Sequence, residues 1–406
     1  MNIVLLSGGS GKRLWPLSND ILSKQFLTLL KNDKGQSESM VQRVYRQIRA
    51  SNPVADIFVS CNKNQTDVLN KQLEAVEVIA EPTRRDTFPA IVLAAAYLHF
   101  VKGLGLDETF VVCPIDVFAH QAYFEKLGQL KADHIGLLGA VPTYPSTKYG
   151  YILDSQFVEK PTIEKAQALI DAGALWNCGV FALKLGYVLD KAKPYVTGSA
   201  YEAYYTQYHQ LPKTSFDYEV AEKESALAVT TYDGVWKDLG TWNTLTEEMA
   251  KDIHGKNIYL DATDTHVINM LNVPVIVKDV DNAVVIASHD GILVTTKPSS
   301  AHLKPLTEQV TSQPMYEQRI WGEYQVIDNN PKNVVKRIYM DAGGATETTR
   351  PTVQAIYTVI SGKGIATIDA QDHLLTPGDV IKISSLQAYS LIAATQMELI
   401  AIEHVA

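Results

Sequence analysis

From residue 1 to about residue 250, short β-branched or aliphatic runs alternate with longer amphipathic stretches, and this alternation points the chain to an open α/β sheet. The predicted strands are Ile3–Leu6, Ile57–Ser60, Val76–Ile79, Phe110–Cys113, Leu137–Val141 and Val180–Leu183. Between them, Ser39–Ala50, Thr87–Lys102 and Ala119–Lys131 repeat apolar residues at helical spacing, with Pro89 tolerated in a first turn. After about residue 255 the pattern changes: Ile258–Leu260, Val267–Met270, Val273–Val277, Ala283–Ala287 and Ile292–Thr295 read as short strands between Asp, Asn and Gly turns. That reads as a small β unit or β-helix-like spacer. Polar residues Lys297–Pro314 read as a linker, and from Tyr316 onward the chain is β-rich again. The expected organisation is therefore an α/β domain over 1–254, a β spacer over 255–312 and a compact β domain over 313–406.

Length and composition exclude several classes. A chain of 406 residues that is 46% hydrophobic and 20% charged can bury a large core and is not mainly disordered. Its net charge of -9 disfavours nonspecific nucleic-acid or anionic-membrane binding, so any bound phosphate must be met by local charge. No signal-peptide pattern opens the sequence, and no run approaches the ~18 apolar residues that span a bilayer. Cys61, Cys113 and Cys178 are widely spaced and odd in number, which predicts reduced thiols and a cytoplasmic protein.

The segment Leu5-Leu6-Ser7-Gly8-Gly9-Ser10-Gly11-Lys12-Arg13-Leu14 places a glycine-rich turn directly after the first strand, where backbone N–H groups can converge on a polyphosphate. It is not a P-loop, since Arg13 follows Lys12 and no glycine stands five positions before Gly11. Nor is it a dinucleotide fingerprint, since Leu14 stands where a third glycine is needed. By itself the turn is equally compatible with a purely structural role.

Its continuation, Gly8 through Trp15-Pro16-Leu17-Ser18 and then Ser23-Lys24-Gln25-Phe26-Leu27, resembles the signature of the mannose-1-phosphate guanylyltransferases. The likeness recurs at Glu81-Pro82-Thr83-Arg84-Arg85-Asp86-Thr87, Pro114-Ile115-Asp116, Lys148-Tyr149-Gly150, Phe157-Val158-Glu159-Lys160-Pro161, Trp176-Asn177-Cys178-Gly179 and Asp238-Leu239-Gly240-Thr241-Trp242. The family pattern usually has Thr, Arg and Pro where this chain has Lys12, Asn19 and Ser23, and Asn-Thr-Ala at Asp86-Thr87-Phe88.

The resemblance implies a Rossmann-like, GT-A-like mixed sheet that joins GTP to mannose 1-phosphate with Mg²⁺. It implies nucleotide contacts from Leu6, Gly8, Gly9, Gly11, Lys12, Arg13, Lys24, Glu81, Arg84, Asp86 and Thr87, and sugar-phosphate contacts from Gly150, Glu159, Lys160 and Asn177. Arg13 offers a planar bidentate donor and Lys24 a compact charge, the pair needed to neutralise a triphosphate in an acidic protein. Asp116 and Asp238 are read as carboxylates sharing one hard cation, or alternatively as helix caps. The catalytic set is Arg13, Lys24, Asp116 and Lys160, and no protein nucleophile is required because the sugar phosphate itself attacks. A homo-oligomer, most simply a dimer, is expected.

The segments Arg319-Ile320-Trp321-Gly322 and Val334-Val335-Lys336-Arg337 resemble the start of the cupin domain that carries phosphomannose isomerase activity in longer relatives. The cupin pattern places Thr349, Pro351, Ala355 and Tyr389 where metal ligands stand, so a structural, dimer-forming or regulatory domain is expected. Two other readings stay open: transfer to another sugar or from another base, and a catalytically silent sugar-nucleotide-binding regulator.

Overall fold

The computed structural model describes residues 1–8, 12–131, 134–224, 227–311 and 313–404, with Lys12 described by its backbone alone. Two compact units emerge. The first comprises residues 1–11, 23–66 and 72–250, and the second residues 12–22, 67–71 and 251–406.

In the first unit β1 (Asn2–Leu6), β2 (Asp56–Asn62), β3 (Glu77–Glu81) and β4 (Thr109–Pro114) lie parallel in the order β3-β2-β1-β4. Ile3, Val4, Ile57, Val59, Ile79, Val111 and Val112 are buried on both faces, as strands covered by helices require. β5 (Val117–Ala119) follows directly. β6 (Ile135–Ala140), β7 (Tyr151–Leu153) and β8 (Gln156–Val158) lead to the long strand β9 (Leu175–Lys184), which runs antiparallel to β4, β6 and β7. β10 (Ala228–Tyr232) adds parallel to β6, and β11 (Trp236–Asp238) pairs antiparallel with β5. The sheet is mixed, as expected.

Helix α1 (Met40–Ser51) starts on a capping box in which Ser39 and Gln42 each satisfy the other's backbone N–H. α2 (Thr87–Ala96) is buried on every side, which explains its lack of amphipathicity and places it at the centre of the core with Val4, Phe110 and Phe181. Each fully buried Phe, Ile or Leu there contributes roughly 1.5–3 kcal/mol. The predicted helix from Thr87 continues to Val101, but its last five residues widen into a π turn. Ala119 belongs to β5, so the helix predicted from there begins only at Gln121. Cys61, Cys113 and Cys178 are free and buried, and no described helix is long and apolar enough to cross a membrane.

In the second unit, strands Ile253–Gly255, His266–Asn269 and Ala283–Ser288 form one parallel ladder, and Ile258–Asp261 and Val275–Lys278 another. Val267, Val277 and Val285 fill the space they enclose. The stretch read as a linker holds two short helices, Pro298–His302 and Lys304–Thr307. Prolines at their first turns make such starts favourable, a local signal that polarity alone hides. Beyond it, a six-stranded antiparallel sheet and a three-stranded sheet enclose Met340, Val359, Leu375, Leu391 and Leu399. This is the expected C-terminal β-rich domain.

Residues 12–22 pack with this unit. The hydroxyl of Ser288 donates to the Pro16 carbonyl at 3.0 Å and the Asn19 amide to Asp290 at 3.0 Å. A Cβ on Gly291, whose φ is +150°, would stand 2.6 Å from the Trp15 ring.

Candidate active site

The carboxyl ends of β1, β2 and β3 open onto a cavity of about 310 Å³ lined by Leu6, Ser7, Gly8, Gln65, Glu81, Arg84, Asp86 and Thr87, among others. Open α/β sheets place ligands at this edge. Ser7 is fixed there by its N–H, which donates to Ser60 at 2.8 Å, and by the Gln25 amide, which donates to its carbonyl at 3.1 Å. Glu81 ends β3 with its carboxylate buried, accepting from the Tyr208 hydroxyl at 2.7 Å and the Ser60 hydroxyl at 3.2 Å. Burial outweighs these bonds and raises its pKa above the usual carboxylate range. Asp86 has a left-handed φ of 78° and accepts from the Thr87 N–H, turning the chain into α2, while the Thr87 hydroxyl accepts from the Phe216 N–H at 2.9 Å. Gly9, Gly11 and the Lys12 side chain lie outside the described residues. Arg13 is exposed on the turn Lys12–Leu14, which counts with the second unit, and it is not among the residues lining the cavities described here.

Asp116 and Asp238 meet through the β5–β11 ladder. Asp238 pairs with Val117, and the Leu239 N–H donates to the Asp116 carbonyl at 3.0 Å. Lys24 reaches between them, with its ammonium 2.6 Å from Asp116 and 3.7 Å from Asp238. Its side chain is 11% exposed against 34% and 36% for the aspartates, so the lysine is largely shielded from solvent while the carboxylates stay open to it. The helix-cap alternative does not hold: His120 precedes the helix that starts at Gln121, and Thr241 caps the one that starts at Trp242. Two adjacent carboxylates suit a hard divalent cation that draws its other ligands from phosphates and water. Among the described residues no His, Cys, Asp or Glu cluster of three or more offers a closed cage.

A second cavity shares Pro114, Asp116, Gly179 and Asp217 with the first and adds Lys148, Tyr149, Gly150, Glu159, Asn177, Trp236 and Asp238. The register of β9 slips between Asn177 and Phe181, and Gly179, at φ +70°, sits in that irregularity. The slip fixes the Asn177 amide: its oxygen accepts from the Gly179 N–H at 3.0 Å and its nitrogen donates to Asp217 at 2.8 Å. Lys160 pairs with Glu159 and lies 5.5 Å from the Tyr218 ring centre. Its burial works against the charge, but Glu159 outweighs it and holds the ammonium pKa above its usual value. Asp217 carried no sequence signal, because it lies on a four-residue helix outside every glycine-rich or charged motif. Burial, and then the Glu159 charge, push its pKa up to about 6.

Gly150 admits no side chain, since a Cβ there would stand 2.5 Å from the Phe157 ring and 2.6 Å from the Glu159 carboxylate. Gly150→Ala is therefore expected to raise the sugar-phosphate KM roughly tenfold by displacing Glu159, with a smaller effect on the nucleotide KM. Initial rates with each substrate varied in turn check this, and equal KM shifts for both would contradict it.

A nucleotidyl transferase family model matches residues 2–255, the span that holds both cavities. The chain belongs to the nucleotidyltransferase family. Within it, the chain is 29% identical to a mannose-1-phosphate guanylyltransferase of Escherichia coli K12, covering 94% of this chain and 90% of that protein. It is 30% identical to one of Klebsiella pneumoniae, covering 92% and 89%. The crystal structure named mannose-1-phosphate geranyltransferase from Thermus thermophilus superposes with a TM-score of 0.63 at 26% identity, over 77% of this chain and 99% of that one. As a nucleotidyltransferase of this group, the enzyme transfers a nucleotidyl group to a sugar 1-phosphate.

Proposed function

We propose that the enzyme joins GTP to mannose 1-phosphate, releasing pyrophosphate and forming GDP-mannose. The observation that supports this most is the meeting of the two cavities at Asp116 and Asp217, with Lys24 over the Asp116–Asp238 pair. One cavity takes the nucleotide against Gly8, Glu81, Arg84 and Thr87, and the other takes the sugar phosphate against Gly150, Glu159 and Asn177, with Lys160 supplied from its pairing to Glu159. A sugar-phosphate oxygen attacks the α-phosphorus, the bond from α-phosphorus to the bridging oxygen breaks, and pyrophosphate departs with the electron pair. Asp116 and Asp238 would hold Mg²⁺, whose charge offsets the repulsion between the two anions. Lys24 and Lys160 add fixed positive charge at the reacting centre. The names of the relatives at 29–30% identity support guanine and mannose as the specific pair.

Pyrophosphate release measured across several nucleoside triphosphates and sugar 1-phosphates tests the assignment. GTP with mannose 1-phosphate is expected to give the highest kcat/KM, and a clear preference for another pair would replace the specific assignment while leaving the reaction class.

The C-terminal β domain is proposed to support structure or assembly. In it Thr349 and Tyr389 exchange backbone hydrogen bonds, the Tyr389 and Tyr357 hydroxyls lie 2.6 Å apart, and Ala355 is buried in the strand Ala355–Ser361. Pro351 has no side-chain donor for a metal. No interconversion of mannose 6-phosphate and fructose 6-phosphate is expected, even with added Zn²⁺, and zinc-dependent isomerisation in a coupled assay would refute this.

A further inference from the structure

Asp217 stands where the two cavities meet, on a short helix that ties them together. Phe216 is buried with its ring centre 5.0 Å from that of Phe181, its N–H donates to Thr87 on the nucleotide side, and Ser215 caps the helix through the Tyr218 N–H. On the sugar side Asp217 accepts from the Asn177 amide, whose orientation the Gly179 N–H has already set. The carboxyl is therefore held rigidly from both directions.

The chemistry of the surrounding wall selects what it can bind. Asp217 and Glu159 both line the second cavity and feel each other's charge, so this part of the wall favours a guest that presents O–H donors and leaves the phosphate to the cations Lys148 and Lys160. Glu159 is already engaged by Lys160, whereas Asp217 receives a neutral amide, leaving carboxylate lone pairs for the guest. A pyranose ring offers such donors and its phosphate does not.

Resting on the proposed reaction, we infer that Asp217 is a specificity-determining residue that accepts a hydrogen bond from a ring hydroxyl of the sugar 1-phosphate. Its carboxyl and the Asn177 amide form a fixed acceptor and donor edge, which distinguishes sugars by the position of that hydroxyl. Removing a hydroxyl that such an edge bonds costs about 10- to 100-fold in kcat/KM.

The test uses the full-length enzyme and the sugar 1-phosphate that it turns over fastest, together with the 2-, 3-, 4- and 6-deoxy forms of that sugar and 2′- and 3′-deoxy GTP. Wild type is compared with Asp217→Ala and with the isosteric Asp217→Asn, which retains the volume and guards against a folding defect. One deoxy sugar is expected to lose about 10- to 100-fold in wild type, and that penalty is expected to shrink at least about tenfold in Asp217→Ala while the other penalties stay. Identical deoxy penalties in wild type and both variants would overturn the inference, however slow the variants are. A penalty that shifts with deoxy GTP instead would overturn it in favour of a ribose contact. A preferred sugar other than mannose overturns the mannose assignment but leaves this test intact, and no turnover of any sugar 1-phosphate overturns both.

Discussion

Lys24→Ala is expected to lower kcat/KM for pyrophosphate release by roughly two to three orders of magnitude, the scale of removing one preorganised charge donor from a transition state. The same substitution is expected to act in the opposite direction on metal binding. The ammonium lies 2.6 Å from Asp116 and 3.7 Å from Asp238, in the position a cation would take between the two carboxylates. A unit charge at about 4 Å is worth ~1–4 kcal/mol at the effective dielectric of a partly exposed site, so its removal is expected to tighten Mn²⁺ binding roughly tenfold. Calorimetry or Mn²⁺ paramagnetic resonance reads this without any turnover. Slower catalysis with unchanged or weaker Mn²⁺ binding would mean that Lys24 does not compete for the site. Wild-type rates in the variant would move the chemistry elsewhere.

The second large effect is expected from the aspartates themselves. Asp116→Asn and Asp238→Asn each keep the shape of the side chain and remove one negative ligand, so each is expected to raise the Mg²⁺ concentration for half-maximal rate about tenfold and to slow saturated turnover about 100-fold. Asp116→Asn is expected to be the more severe, because Asp116 is also the nearer partner of Lys24 and borders both cavities. Rate measurements over a Mg²⁺ titration separate the two components. If both variants follow the wild-type metal curve, the aspartates serve to place Lys24 and do not bind the cation.

These two predictions concern residues that the motifs had already singled out, yet their shared geometry was not legible. The strands around Ile3, Ile57 and Phe110 were readable because a buried parallel strand needs an unbroken apolar run, and that requirement is local. Helix α1 was readable for the same reason, through Ser39 and the apolar spacing after it. Asp116 looked equally suited to a helix cap, since a carboxylate before an amphipathic stretch reads that way. The short strand β5 between Asp116 and that helix removes the option, and it exists because β11 pairs with it from more than a hundred residues away. The linker reading of Lys297–Pro314 failed because two helices of only four or five residues leave too little periodicity to detect.

By itself the sequence determined the α/β alternation of the first 250 residues, the β-rich character of the chain beyond them and the charged residues available for phosphate chemistry, because apolar period is a property of a few neighbouring residues. Only the tertiary structure decided that Lys24 lies between Asp116 and Asp238 and that residues 12–22 pack with the C-terminal unit. It alone brought Asp217 to the wall between two cavities through the slipped register of β9. Ladder register, strand irregularities and ion pairing across the sheet are set by the packing of segments far apart in the chain, and no local period records which distant segment will be the neighbour.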